Sequence, residues 1–309
     1  MSYSSRALFR HAVSVAAVLL LSAVSASPAD AASRRSLKYG FPQDRIEVFD
    51  FELTRSTSLA MKHLPAEAQG FDVESLIARL GTVETRLEGR LERVLARVFR
   101  DFSQGLVTRV VDVDGTIDRG AGAEALDTSI LEGKSVSFRL LASGELLDSV
   151  GWSRLAGAER GGTLVEELLL QSVMRLPQSI PKGTQMFPAN YRVRVPLDSF
   201  LTRDQTWIVG FTAGTAPAEC GRGCVAIDYR GELSEKAIDK HPARPMRLTG
   251  KGTVSGTIVL TRREKNLYEH TFVFDWAREV RSERDNDTLR GEVVQTERVE
   301  GVLRAVASE

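Results

Sequence analysis

The sequence predicts a mainly β fold (β-rich α+β), in which a large curved antiparallel sheet or half-barrel holds one apolar helix packed in its concavity. Two observations lead to this prediction. Many segments alternate apolar and polar residues with the period of a strand, and short turn signals separate them. Residues 163–176, in contrast, carry apolar residues on most sides of a helix. Such a helix needs burial, and the hollow of a curved sheet supplies it.

Composition and charge place the chain among ordinary globular proteins. Its 309 residues are 42% hydrophobic and 27% charged, and they include only two cysteines. The 41 Lys and Arg residues equal the 41 Asp and Glu residues in number. Long-range charge therefore does not favour nucleic acid or an anionic membrane surface as a partner.

The first 31 residues have the order of a secretory signal peptide. Arg6 and Arg10 precede the apolar run 12–24, and Ala29-Asp30-Ala31 supplies small residues for cleavage after Ala31, with Ala26 as the alternative site. We therefore expect export to the periplasm or beyond. No later stretch is apolar for about 20 residues, so we expect no transmembrane segment in the mature chain.

The mature chain is expected to form one domain. Residues 32–44 are predicted to be a flexible N-terminus, and residues 45–305 a single β-rich domain. No linker rich in Pro, Gly or Ser is long enough to separate two domains, although a division near Gly161 is an alternative.

The first predicted strand changes its apolar face. Ile46 and Val48 alternate with polar neighbours, whereas Phe49, Phe51 and Leu53 occupy the opposite parity. A β-bulge between residues 48 and 49 would produce that shift within one strand.

Residues 71–102 fit both a helix and a strand. Apolar residues recur at helical spacing, yet residues 83–92 also alternate strictly with charges. On a helix Glu84, Glu88 and Glu92 would repel one another, and Gly89 would cost about 1 kcal/mol. We therefore predict a short helix over 72–80 followed by a strand.

The remaining strands follow at short intervals. Residues 106–113 form a strand that the pair Asp114-Gly115 should end in a tight turn. Residues 135–141 and 146–150 flank Ala142-Ser143-Gly144 as a hairpin. Further strands are predicted over 191–195, 205–212, 224–231, 253–261, 267–276 and 289–303.

One helix interrupts the strands. Gly161-Gly162 breaks the chain, Thr163 with Glu166 forms a capping box, and Pro177 ends the helix. Its apolar residues cover far more than one stripe, so we expect it to lie inside the curve of the sheet.

Cys220 and Cys224 share the five-residue segment C-G-R-G-C. In an exported protein this spacing favours a local disulfide. A redox pair or half of a metal site is the alternative. A disulfide is preferred because no nearby cysteine or histidine completes four metal ligands.

Metal and cofactor motifs do not stand out. His63, His241 and His270 are isolated in sequence, and no nucleotide-binding or serine-hydrolase motif occurs. Asp112, Asp114 and Asp118 could form a calcium loop, but the order of a full loop fails and a hairpin is preferred. We therefore predict no metal and no cofactor, and the sequence supports no particular enzyme.

The pattern resembles the lipoprotein-carrier half-barrels of the bacterial envelope. The resemblance rests on residues 163–176 with Pro177 and on the strands up to Leu303. The segment L-x-G-K-x-V-x-F with A-S-G-E-L (131–146), followed by L-P and P-K-G (176–183), also resembles exported bacterial proteins of unknown function. Such a resemblance implies a curved sheet around an apolar cavity, and a carrier role by analogy.

The leading hypothesis is that the protein binds an apolar small molecule, a lipid or acyl chain, between the sheet and the helix. The predicted lining residues are Leu164, Leu168, Leu169, Val173, Trp207, Phe211, Phe272 and Phe274. The alternative is a structural or interaction module whose partner is another envelope protein, in which case these side chains fill a core. A hydrolase assembled from scattered acids and histidines is a weaker third hypothesis.

Overall fold

Long alternating segments pair into one antiparallel sheet. A computed structural model describes residues 37–43, 45–63, 81–152, 155, 162–177, 179, 187–196, 201–239, 246–282 and 292–306. The strands are β1 (Ile46–His63), β2 (Thr82–Val98), β3 (Gln104–Asp118), β4 (Ala123–Ala125), β5 (Ser135–Leu140), β6 (Leu146–Val150), β7 (Phe187–Pro196), β8 (Leu201–Ala213), β9 (Cys224–Asp239), β10 (Met246–Thr261), β11 (Leu267–Ser282) and β12 (Glu292–Ala305).

The strand order follows the chain except where the two halves meet. Eleven strands run in the order β6-β5-β3-β2-β1-β12-β11-β10-β9-β8-β7, and β4 pairs beside β3. Antiparallel pairing of β1 with β12 joins the halves. Residues Leu37–Glu309 form one compact unit. The predicted β-rich class with one large sheet is confirmed.

One face of the sheet, which we call the inner face, carries the core. On β11 the buried side chains Phe272, Phe274 and Trp276 alternate with Asp275 and Ala277, which are exposed on the outer face. The same alternation places most of the buried apolar side chains of β1, β2, β3, β5, β8, β9, β10 and β12 in one cluster with those of β11. The period of two in the sequence therefore determines which face is buried.

The segment 37–41 demonstrates that the sheet is curved. The Tyr39 amide donates to the Ala142 carbonyl after β5 at 2.8 Å, and the Gly40 amide donates to the Lys265 carbonyl before β11 at 2.9 Å. These two carbonyl groups therefore lie within about 10 Å of each other. Five strand spacings separate β5 from β11, about 24 Å in a flat sheet. The sheet must curve inward for one short segment to reach both.

The prediction of a flexible N-terminus over 32–44 is wrong for residues 37–41. Leu37, Tyr39 and Phe41 are buried in the main core cluster, and the rings of Tyr39 and Phe41 stack at 5.5 Å. A Cβ atom at Gly40 would lie 1.7 Å from the carbonyl oxygen of Glu264, so only glycine permits this approach. The sequence signal was weak because three alternating apolar residues are too few to indicate a strand.

The single α-helix among the described residues, α1, spans Gly162–Gln171. It is shorter than the predicted 163–176, because bonds from Val173 to Leu170 and from Met174 to Gln171 tighten the chain after it. Buried apolar side chains on the helix and in this turn belong to the same core cluster as the inner face. The prediction of one apolar helix in the concavity of the sheet is confirmed.

The predicted bulge between Val48 and Phe49 is wrong. β1 keeps a continuous register with β2 across this point. Ile46 is exposed on the outer face, whereas Phe49 and Phe51 are buried on the inner face. The strand carries apolar residues on both faces in turn, so the change of parity needs no extra residue.

The predicted tight turn at Asp114-Gly115 is also wrong. β3 continues to Asp118, and Gly115 pairs with Leu87 within the ladder. A Cβ atom on Gly115 would lie 2.7 Å from Leu87 Cδ2, so this glycine allows close packing. The turn follows Asp118, whose Oδ1 accepts the amides of Gly120 and Gly122.

Other predictions have mixed outcomes. The hairpin around Ala142-Ser143-Gly144 is confirmed, as is a strand after residue 81. The helix over 72–80, the signal peptide and Gly161 lie outside the described residues. Among the helices in the described part of the chain, none has the length and apolar content that crossing a bilayer requires.

Replacing Tyr39 with Phe tests the role of the N-terminal segment. The buried Tyr39 hydroxyl donates to the Met174 carbonyl at 2.8 Å, so Tyr39→Phe leaves that carbonyl without this partner. We expect the free energy of unfolding to fall by about 1–3 kcal/mol in chemical denaturation. The matched variant Tyr268→Phe, on the outer face, should change it by less than about 0.5 kcal/mol. Equal effects of the two variants would contradict the packed position of segment 37–41.

Candidate functional site

The predicted lining residues lie together on the inner face and the helix that covers it. Leu164 lies in α1, although its side chain is outside the described residues. The other seven are at most 4% exposed and belong to one core cluster: Leu168, Leu169, Val173, Trp207, Phe211, Phe272 and Phe274. The structure thus brings the described members together, and their burial is as complete as in a packed core.

Aromatic contacts connect these residues across the strands. Trp207 on β8 meets Phe274 on β11 edge to face, with ring centroids 5.5 Å apart. Phe272 and Phe274 follow each other on the inner face of β11 at 5.6 Å. Phe211 lies 6.3 Å from Tyr229 on β9. Geometries of this kind add about 0.5–1.5 kcal/mol per pair to the gain from burial.

Polar side chains from three elements bind the carbonyl groups at the C-terminal end of α1. Arg93 Nη1 on β2 donates to the Ser172 carbonyl at 2.8 Å, and His270 Nδ1 on β11 lies 3.0 Å from the Gln171 carbonyl. The Tyr39 hydroxyl donates to the Met174 carbonyl, two residues after Ser172. The last carbonyls of a helix need partners from outside it, and here the sheet and segment 37–41 supply them.

His270 is a neutral histidine within the core. Burial lowers the pKa of His270 from 6.5 to about 4, and the hydrogen bond to Gln171 opposes this shift. Because a carbonyl can only accept, Nδ1 carries the proton, and Nε2 accepts from the Tyr229 hydroxyl at 2.9 Å. His270, which is isolated in the sequence from other histidines, thus lies in the core.

A second set of polar residues lies at the other end of the apolar part of the inner face, away from His270. Glu235 on β9 accepts from Arg278 Nε on β11 at 2.7 Å. Arg278 Nη1 and Glu297 Oε1 on β12 are also 2.7 Å apart, and Arg55 on β1 binds the other oxygen of Glu297. The two arginines balance the two glutamates, as buried charges require. Gln205 lies beside Glu235. We call the set of Gln205, Glu235, Arg278, Glu297 and Arg55 the polar row.

The polar row is not among the residues predicted from the sequence, although the alternation of the strands contains a signal for it. On β8, β9, β11, β12 and β1 a large apolar residue has a polar residue two positions away on the same face. Examples are Trp276 with Arg278 and Leu233 with Glu235. The same change on five of the six strands from β8 to β1, with β10 as the exception, indicates a boundary across the sheet. It becomes visible only once the registers are known.

Open grooves lie on the outer face of the described strands, and we describe two of them. The first, about 450 Å³, lies across β10, β11, β12 and β1, with Lys251, Asp275, Thr296 and Arg298 among its lining. The second, about 550 Å³, is lined in part by Glu52, Arg86, Glu88 and Asp114. Neither groove contains any of the predicted lining residues.

Cys220 and Cys224 form the predicted disulfide. The bridge links a short 3₁₀ helix, Ala218–Gly223, to the first residue of β9. Cys224 is buried with Ala226 and Val259 in a small cluster of its own. The bridge therefore stabilises the connection between β8 and β9, apart from the inner face.

Asp101 and Asp127, two carboxylates with lowered pKa values, stabilise turns of the chain. Hydrogen bonds from Ser103 lower the pKa of Asp101, and those from Ser129 lower the pKa of Asp127. Both carboxylates are exposed, and each accepts the amide of the residue two positions later. Among the described residues, no group of three or more Asp, Glu, His or Cys side chains is placed to hold a metal ion.

No family model matches the chain, and no curated protein matches it. A solved structure of lipovitellin, titled for its lipid–protein interactions, is similar with a TM-score of 0.42 and 9% identity. That match covers 87% of this chain, which spans about a quarter (26%) of the lipovitellin chain. OccK5 (OpdH) of Pseudomonas aeruginosa has a TM-score of 0.22 and 4% identity over 87% of this chain and 100% of its own. Similarities at this level carry no argument about function.

The low pKa of His270 predicts a loss of stability in mild acid. The unfolded chain binds a proton at its ordinary pKa of 6.5, whereas the folded chain binds it only near pH 4. The free energy of unfolding should therefore decrease as the pH falls from 6.5 towards 4, by about 2 kcal/mol at pH 5 relative to pH 8. Urea titrations at several pH values measure this, with His270→Asn as the comparison. The same pH slope in both proteins would contradict the assignment of a buried neutral His270.

Proposed function

We propose that this protein is exported and binds an apolar ligand, a lipid or acyl chain, between the curved sheet and α1. One observation carries the proposal: an apolar belt on the inner face with buried polar groups at both ends. Along β11 the belt is Phe272, Phe274 and Trp276, between His270 and Arg278. A long ligand that is apolar along its length and polar at an end matches that arrangement.

The dimensions of the belt agree with a chain-like ligand. His270 and Arg278 are eight positions apart, which corresponds to about 27 Å along the strand. The ten residues of α1 span only about 15 Å. The helix alone is therefore shorter than the belt.

The signal-peptide pattern of residues 1–31 supports export. Charged residues, an apolar run and small residues follow in the order that a secretory signal requires. A disulfide between Cys220 and Cys224 agrees with an oxidising compartment. Periplasm and extracellular space satisfy both observations equally.

A second candidate function is a structural or interaction module of the bacterial envelope. Its supporting observation is the packing of the inner face, since Leu168 and Phe211 have no exposed surface. β6 is an edge strand of the sheet with Leu147 and Val150 exposed on it. An exposed strand edge is a surface on which another protein can add a strand.

The variant Leu168→Ala separates the two functions. Under the proposal Leu168 contacts the ligand, so the affinity for the neutral fluorescent probe Nile red should fall at least fivefold. The substitution should lower the free energy of unfolding by only about 1–2 kcal/mol, because the ligand and not the protein fills part of the space around Leu168. Val259→Ala is the matched control, since Val259 is equally buried but belongs to the outer-face cluster with Cys224. It should lose stability and leave the affinity for Nile red unchanged.

A packed core predicts a different pair of results. Leu168→Ala would then cost about 2–5 kcal/mol of unfolding free energy, and neither variant would change the binding of Nile red. That outcome would overturn ligand binding at α1 and favour the structural module. Probe titrations and denaturation curves on the same samples give both quantities.

A further inference from the structure

A buried polar cluster lies on the inner face beneath the end of α1. Arg93 on β2 pairs directly opposite Thr108 on β3, and both side chains point to the inner face. Arg93 binds Glu47 through Nε at 2.8 Å and the Ser172 carbonyl through Nη1 at 2.8 Å. Gln171 precedes Ser172 and is also buried. Arg93, Thr108 and Gln171 are at most 2% exposed.

Three polar atoms of this cluster have no hydrogen-bond partner within the described part of the chain. They are Nη2 of Arg93, Oγ1 of Thr108 and Oε1 of Gln171. Leaving a buried donor or acceptor without a partner costs about 1–3 kcal/mol, so such groups are rare and call for an explanation. Arg93 and Thr108 are directly paired across β2 and β3, and Gln171 precedes the residue whose carbonyl binds Arg93. The three residues therefore bring two donors and one acceptor to the same region of the inner face.

The charge balance of the cluster selects the ligand chemistry. Glu47 already neutralises Arg93, and the rings of Phe49 and Phe41 lie 4.7 Å and 5.3 Å from its guanidinium carbon. A second carboxylate bound here would lie close to Glu47 in a site of low polarity, where like charges repel strongly. An uncharged oxygen accepts from Arg93 and Thr108 without that cost.

We propose that this cluster binds the uncharged head group of a neutral acyl ester, such as a monoacylglycerol, in the ligand site between the sheet and α1. Arg93 Nη2 and the Thr108 hydroxyl donate to the ester carbonyl. Gln171 Oε1 accepts from a free hydroxyl group of the ligand. The acyl chain then extends along the apolar belt. This inference rests on the proposed function and specifies its ligand class.

The test compares three ligands of equal chain length in displacement of Nile red at pH 8. They are monopalmitoylglycerol, palmitate and hexadecane. We expect monopalmitoylglycerol to bind at least about tenfold more tightly than either of the others. Equal or tighter binding of palmitate would overturn the head-group inference and leave the proposed function standing. Binding of none of the three, with no Nile red signal, would overturn both.

Variants of Thr108 locate the effect. Thr108→Val removes the hydroxyl while keeping the shape of the side chain. The variant should bind monopalmitoylglycerol about five- to tenfold more weakly than the original protein does, with unchanged affinity for hexadecane. Thr108→Ser keeps the hydroxyl and should restore the preference. Since the hydroxyl has no partner within the described part of the chain, Thr108→Val should leave the unfolding midpoint unchanged or raised. An unchanged affinity of Thr108→Val for monopalmitoylglycerol would overturn the inference and assign the cluster to an internal water molecule.

Discussion

The hydrogen bonds that anchor the C-terminal end of α1 are the constraint on which the rest of the structure depends. The carbonyl groups of the buried residues Gln171, Ser172 and Met174 accept hydrogen bonds from side chains outside the helix. His270 and Arg93 supply two of these donors from β11 and β2, and segment 37–41 supplies the third. The donors are far apart along the chain, so they meet only when the sheet has curved around the helix. The same hydrogen bonds thus link the curvature of the sheet, the position of the helix and the packing of segment 37–41.

The strands and the buried helix were predictable because each depends on a local period. Alternation indicated β5, β8, β10 and β11, and the excess of apolar residues in 163–176 indicated a helix that must be covered. Segment 37–41 escaped prediction because its partners, Ala142 and Lys265, are more than a hundred residues away. The length of β3 was underestimated because Asp-Gly is a turn signal only when the glycine is not needed for packing against a neighbour such as Leu87.

The candidate site was predictable only in its apolar half. Large apolar residues on one parity predicted which side chains share the inner face, and the described ones do lie together. The polar groups that limit the belt could not be assigned without registers. Arg93 with Thr108, and Arg278 with Glu235, become neighbours only through strand pairing. Burying each of these polar side chains costs free energy. Their positions at the two ends of the belt distinguish this inner face from a uniformly apolar core.

The most direct test of the account is to identify what the folded protein carries. The mature chain, purified from its native host, would be analysed by native mass spectrometry, and bound molecules would be identified after organic extraction. The account predicts a stoichiometric apolar molecule of the acyl-lipid class, released when the protein unfolds. A bare protein mass, together with an extract that holds no such molecule, would contradict a ligand on the inner face and assign the buried belt to packing alone.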